Sequence, residues 1–328
     1  MRSRMPVIMK TNACIRSACR KPVPSSGNRG NMELLTKLLK SQLSVINKLA
    51  DGCSVEKSRT TQDMLGKLMA SGYRAEVTYH PIDDPDFAAE CIKPALVEHP
   101  GILLYLHGGG YVSGHMDYAE GFGTVLAARC HVPVCCAAYR LAPEDPYPAA
   151  LEDVLCIYRY LLGHGYPDGN IVLCGESAGG GLVYALALRL KAEGLPLPRG
   201  MIGISPWSDL TASGPSYVEN RILDPSMTQK RLRFYAQCYA EQLDDPYVSP
   251  LFGELEGLPP SLLFVGGHEI MLSDAVQLHE KLLTAGCRSE LHIAPEMWHI
   301  YLLYGVKEAK DDYQKITAFV QEVLDGGA

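Results

Sequence analysis

The sequence predicts an α/β protein, and three observations carry that expectation. Eight short, β-rich and largely apolar runs occur along the chain, and helical stretches separate the later ones. The composition is that of an ordinary globular chain, 47% hydrophobic and 20% charged over 328 residues. Apolar strands that alternate with helices need cover on both faces, which is the arrangement of a mostly parallel sheet.

Taken in chain order, the first element is a helix from Glu33 to about Ala50, where Leu34, Leu35, Leu38, Leu39, Leu43, Ile46 and Leu49 recur at spacings of three and four. A second helix runs from Val55 to Ala70, and Gly72 stops it. Both precede the first strand, so they are expected to lie over the sheet as part of a lid. The β-rich runs are Arg74 to Tyr79, Glu90 to Leu96, Gly101 to Leu106, Val132 to Tyr139, Ile171 to Cys174, Gly200 to Ser205, Ser261 to Val265 and Ser289 to Ile293. Helical stretches follow at Asp117 to Ala128, Ala149 to Leu162, Ala178 to Ala192, Asp274 to Ala285 and Val306 to Leu324.

The segment from Thr211 to about Tyr247 breaks this rhythm. It is longer than a usual connection and holds a polar helix-like run, Thr228 to Tyr239; long insertions in compact domains are often lids or binding loops. The expected organisation is a basic leader over 1–31, cap helices over 32–73, a core over 74–210 and 248–328, and a cap insertion over 211–247.

A net charge of −7 and a pI near 5.8 argue against a surface built to neutralise phosphates. A small-molecule partner is expected, with no nucleic acid. The first thirty residues carry seven Lys or Arg and no acid. Their apolar stretch, Pro6 to Met9, is too short for a secretory signal, which needs roughly 7 apolar residues. An organellar transit peptide, a nucleic-acid-binding tail and sequence upstream of a start at Met32 all fit, and the last is preferred. No run approaches the roughly 18 apolar residues of a membrane span. Among the eleven cysteines no C-x-x-C pair occurs, and Cys135, Cys136, Cys156 and Cys174 sit in apolar runs as small hydrophobes. Cys14 and Cys19 have no second pair at zinc-site spacing, so no metal is expected, and free thiols suit the cytoplasm.

The sharpest motif is Gly175-Glu176-Ser177-Ala178-Gly179, a G-x-S-x-G between the strand Ile171 to Cys174 and a helix starting near Ala178. A nucleophile elbow needs small neighbours, because the turn is sharp and the serine backbone is strained so that its hydroxyl points out of the sheet. The helix N-terminus behind it favours developing negative charge. A nucleotide-binding turn is the competing reading, but these glycines make no G-x-G-x-x-G and no P-loop lysine follows. The second motif, His107-Gly108-Gly109-Gly110-Tyr111, follows the strand Gly101 to Leu106. Three successive glycines bare the backbone N–H groups to a substrate oxygen, although a flexible loop would read the same in isolation.

Together with Tyr139-Arg140-Leu141-Ala142-Pro143-Glu144 and Pro146-Tyr147-Pro148-Ala149-Ala150, these two motifs resemble the hormone-sensitive-lipase-like esterases (bacterial family IV) of the α/β-hydrolase superfamily, from about Ile102 to Val320. The resemblance implies an α/β-hydrolase fold with a helical cap, no cofactor, and hydrolysis of short acyl esters, the pocket favouring acyl chains of about two to eight carbons. It carries the oxyanion donors onto Gly109, Gly110 and Ala178, with His107, Gly108 and Glu176 as supporting residues. Glu176 departs from the Asp common in the family, and Glu296 from a frequent Gly. The triad continues in the order Ser, acid, His, which places His299 of Pro295-Glu296-Met297-Trp298-His299 in the catalytic role. In Gly266-Gly267-His268-Glu269-Ile270-Met271-Leu272-Ser273-Asp274 the family pattern puts Glu269 at the acid position. Asp274 is the alternative, with an equally sound reading as an N-terminal helix residue, and Asp209 stands third. Tyr111, Trp207 and Tyr217 are expected in the substrate pocket. Amide, formamide or lactone hydrolysis would use the same parts, whereas a non-catalytic ligand receptor on this scaffold would have lost a triad member. The sequence leaves the oligomeric state open, a homodimer being one of the assemblies it allows.

Overall fold

The computed structural model describes residues 34–50, 55–167 and 169–326. The 1–31 leader and the Cys14 and Cys19 pair lie outside them.

All eight expected strands form: β1 (Val77–Ile82), β2 (Ala89–Pro94), β3 (Ile102–Leu106), β4 (Val134–Ala137), β5 (Ile171–Glu176), β6 (Gly200–Ile204), β7 (Ser261–Gly266) and β8 (Ser289–Ala294). They make one sheet in the order β1-β2-β4-β3-β5-β6-β7-β8. Only the β1–β2 and β2–β4 pairs are antiparallel. Every residue of β3 to β7 is buried, as continuous apolar runs covered on both faces require, while β1 and β8 at the edges alternate or stay half-buried.

The helices are α1 (Leu34–Ala50), α2 (Val55–Ala70), α3 (Met116–Cys130), α4 (Ala149–Gly163), α5 (Ala178–Glu193), α6 (Ser216–Glu219), α7 (Gln229–Tyr239), α8 (Leu272–Thr284) and α9 (Lys310–Leu324). Helix α7 matches the expected polar run, and the Thr228 side chain caps it by accepting from the Arg231 amide. The first strand and the last helix depart most from expectation. The first strand begins at Val77 because Arg74–Glu76 winds into a 3₁₀ turn. The last helix begins at Lys310 rather than Val306, because Gly305 takes a left-handed φ of 62° and separates two 3₁₀ turns before it.

Two close approaches position the site. A Cβ at Gly179 would lie 2.0 Å from the Leu106 carbonyl oxygen, so glycine alone lets the first turn of α5 rest on the end of β3. A Cβ at Gly121 on α3 would lie 2.5 Å from the Cα of Gly66 on α2, so the two helices cross backbone to backbone. Arg59 pins the same α2 to the core: its Nε donates to the Val112 carbonyl at 2.8 Å, and its Nη2 to Ala142 O at 3.1 Å and Glu144 Oε2 at 2.6 Å. Helix α1 is tied down where Thr36 donates to Glu308 and Lys40 donates to the Glu296 carbonyl.

The cysteines from Cys91 to Cys287 are free thiols. No described helix is long and apolar enough to cross a membrane.

Candidate active site

Ser177 occupies the turn between β5 and α5 with φ 55° and ψ −121°, a conformation L-residues rarely adopt. Its backbone is held on both sides, the N–H donating to Ile204 O at 2.9 Å and the carbonyl accepting from Trp207 N at 2.9 Å. Its hydroxyl makes no capping bond to α5 and is left for other work. His299 lies in the Trp298–Ile300 turn after β8, with Nε2 2.9 Å from Ser177 Oγ; the two residues are 2% and 5% exposed. On the other side of the ring, Nδ1 stands 3.4 Å from Glu269 Oε2, an ion-pair distance longer than a hydrogen bond.

Glu269 is fully buried after β7, and desolvation raises its carboxyl above the usual range, opposed by the adjacent His299 ring and Ser205 hydroxyl. Sequence reasoning missed Ser205. It follows β6 with φ 48°, is 1% exposed, and accepts from Ile300 N of the histidine loop at 3.0 Å. A small polar residue at the carboxyl end of a central parallel strand was the available signal.

Asp274 is elsewhere. It stands in the first turn of α8 without capping it: Oδ2 accepts from the backbone amides of Ser208 (3.2 Å) and Asp209 (3.0 Å) and from the Tyr217 hydroxyl (3.1 Å). It is the N-terminal helix residue that the sequence suggests, but its side chain turns inward to hold the loop after β6. Burial, then the Asp209 charge, pushes its carboxyl well up. Asp209 itself binds Thr211 and Ser213 in a local turn.

Opposite Ser177, Gly109 and Gly110 have φ of 109° and 65°. A Cβ at Gly109 would meet Ser113 O at 2.1 Å, and one at Gly110 would meet the Tyr235 ring at 2.3 Å. The loop is braced from behind by Glu176, whose Oε1 accepts from Gly108 N at 2.6 Å and from the Tyr118 hydroxyl at 3.1 Å, while Oε2 accepts from the Tyr105 hydroxyl at 2.6 Å. Burial raises this carboxyl to about 7 against those donors. His107 contributes from beneath, with Nδ1 2.7 Å from Gly108 O and its ring stacked 4.2 Å from Tyr139, whose hydroxyl donates to His107 O. Burial lowers His107 to about 4, so it stays neutral.

Above Ser177 and His299 opens a cavity of about 630 Å³, lined by Leu43 of α1, by Ser58, Thr61, Gln62 and Leu65 of α2, by Leu232, Phe234 and Tyr235 of α7, and by Tyr118, Met227, Ile300 and Tyr304. The expected pocket residues are not among its walls. Tyr111, Trp207 and Tyr217 are at most 1% exposed, because Tyr111 stacks on Tyr239 at 3.7 Å and Tyr217 is held by Asp274. The arrangement can move a proton from a serine hydroxyl to an imidazole at the floor of the cavity, beside bare backbone amides.

A doubly wound sheet with a strained serine after β5 and a histidine after β8 defines a hydrolase of the α/β-hydrolase class. The chain belongs to the alpha/beta hydrolase fold family, which it matches over residues 103–303, and within it to the hormone-sensitive-lipase-like esterases. It is 38% identical over 218 residues to an acetyl-hydrolase of Streptomyces hygroscopicus, covering 66% of this chain and 73% of that one. With an ethyl acetate hydrolase of Pseudomonas putida it shares 30% identity over 285 residues, 83% of each chain. A crystal structure of an esterase from the bacterial hormone-sensitive lipase family superposes with a TM-score of 0.81 at 32% identity, over 87% of this chain and 98% of that one. This chain is an esterase.

Proposed function

We propose that the protein hydrolyses short- to medium-chain carboxylic esters through a Ser177–His299–Glu269 triad and an acyl-enzyme intermediate. The observation that carries this reading is the 2.9 Å contact between His299 Nε2 and Ser177 Oγ on the cavity floor. Ser177 Oγ attacks the ester carbonyl carbon as His299 Nε2 takes its proton. The carbonyl oxygen becomes an oxyanion, which accepts from the amides of Gly109, Gly110 and Ala178. Glu269 holds the ring through Nδ1 and stabilises the imidazolium. Collapse of the intermediate breaks the bond to the alcohol oxygen, which leaves with the proton from His299. Water then gives its proton to His299 and attacks the acyl carbon; the acid departs and Ser177 regains its proton.

Helices α1 and α2 and the 211–247 insertion, including α7, act as the cap over the 74–210 and 248–328 core, which accounts for their side chains walling the cavity. A pocket of this size suits acyl chains of about two to eight carbons, in keeping with the acetyl substrates that two relatives' names specify. The test is a p-nitrophenyl ester panel from acetate to palmitate, run on the wild type and Ser177→Ala, with organophosphonate labelling. Turnover should peak at short chains, and Ser177→Ala should lose both turnover and label while staying folded. Faster palmitate than butyrate turnover would overturn the acyl range, and persistent labelling would overturn Ser177 as nucleophile.

A further inference from the structure

The α7 side of the cavity mixes Met227, Leu232 and Phe234 with Lys230 and Arg231, and α2 brings Ser58, Thr61 and Gln62 to its wall at spacings of one, three and four residues along one helical face. Gln62 is the residue of consequence. Its Oε1 is buried and accepts no hydrogen bond from any described residue, and a Cβ at Gly109 would lie 2.8 Å from it. The amide oxygen therefore sits beside the backbone that faces the ester carbonyl. The helix that carries it is fixed by the Gly66–Gly121 crossing one turn after Gln62 and by Arg59 one turn before. A buried acceptor without a donor is unfavourable, so a ligand that brings one gains what the protein leaves unmade.

We infer that Gln62 is a specificity-determining residue whose amide oxygen accepts from a hydroxyl carried by the substrate within a few bonds of the ester carbonyl, so that hydroxylated esters are preferred over their deoxy counterparts. This rests on the reading of Ser177 as the nucleophile. The hydroxyl can belong to the alcohol, as in a polyol monoester, or to a hydroxy-acyl group; both offer an O–H donor within a few bonds of the ester carbonyl.

The experiment measures kcat/KM by pH-stat on ethyl butyrate, 2-hydroxyethyl butyrate and ethyl 3-hydroxybutyrate, for the wild type, Gln62→Met and Gln62→Glu. Methionine keeps the length of the side chain and removes the acceptor, while glutamate keeps an acceptor. For the wild type, one hydroxylated ester should exceed ethyl butyrate by roughly three- to tenfold, the size of one net hydrogen bond, and which one does so identifies the side of the ester. Gln62→Met should bring that ratio to about one, and Gln62→Glu should retain it. A wild-type ratio near one for both hydroxylated esters, or a preference that survives Gln62→Met, overturns the inference. So does an equal fall on all three esters in Gln62→Met, which would make Gln62 a brace for the Gly109 loop. Turnover of ethyl butyrate without preference leaves the esterase reading standing; no turnover of any ester overturns both.

Discussion

Glu269→Gln removes the charge of the triad acid while keeping its volume, and the structure sets the size of the effect. The carboxylate oxygen is 3.4 Å from His299 Nδ1, with 0% and 2% of the two side chains exposed. Two unit charges at that separation interact by about 5 kcal/mol at an effective dielectric constant near 20. That is an upper limit on the imidazolium stabilisation lost, because a glutamine oxygen still accepts from Nδ1–H. At about 1.4 kcal/mol per decade that limit is about 3.5 decades, so kcat should fall by roughly 10²- to 10³-fold with little change in KM. The fold should not suffer, since the substitution deletes a carboxylate whose burial is unfavourable. Asp274 supplies the control. Asp274→Asn keeps an oxygen for the Ser208, Asp209 and Tyr217 donors and should stay near wild-type activity, while Asp274→Ala orphans three buried donors and should cost about 3–5 kcal/mol. The assays are kcat on p-nitrophenyl butyrate and urea unfolding for each variant. A folded Asp274→Asn that is crippled, beside a near-normal Glu269→Gln, would refute the assignment of the acid.

Two further predictions concern the loop opposite Ser177. Gly110→Ala forces a methyl to within 2.3 Å of the buried Tyr235 ring, so the loop should shift and kcat should drop by at least about tenfold, toward the 10²–10³ typical of a lost oxyanion donor; an unchanged kcat counts against Gly110 as a donor. The Glu176 carboxyl rises from 4.5 to about 7 in the folded chain. The folded state then binds this proton where the unfolded chain has released it, so stability is highest below pH 4.5 for this group and declines as pH rises to about 7, by about 3 kcal/mol in all. Glu176→Gln should flatten that part of the stability–pH curve in urea melts at successive pH values, and an unaltered slope would show that Glu176 titrates normally.

By itself the sequence determined what depends on neighbours along the chain. Strand and helix alternation follows from local apolar periodicity, which is why all eight strands form and the α2 and α7 helices fall where expected. The turn chemistry of Gly175 to Gly179 and His107 to Gly110 marked the serine and the bare amides, since small residues there are a local steric need. His299 and Glu269 came from the family pattern, and the structure sets His299 against Ser177 and Glu269 on the far side of the His299 ring. What the tertiary structure alone decided is what distant segments do on meeting. Tyr111, Trp207 and Tyr217 are aromatic in the right neighbourhood, yet side-chain direction is set by packing, and they pack away from the cavity. Asp274 is one residue in a helix start until the loop after β6 arrives to use its oxygen. Glu176 gains its role only when Tyr105, Gly108 and Tyr118 converge on it from three separate elements. The polar wall bearing Gln62 is over a hundred positions from Ser177 in the chain, and it faces the site because two glycines let α2 cross α3 at backbone contact.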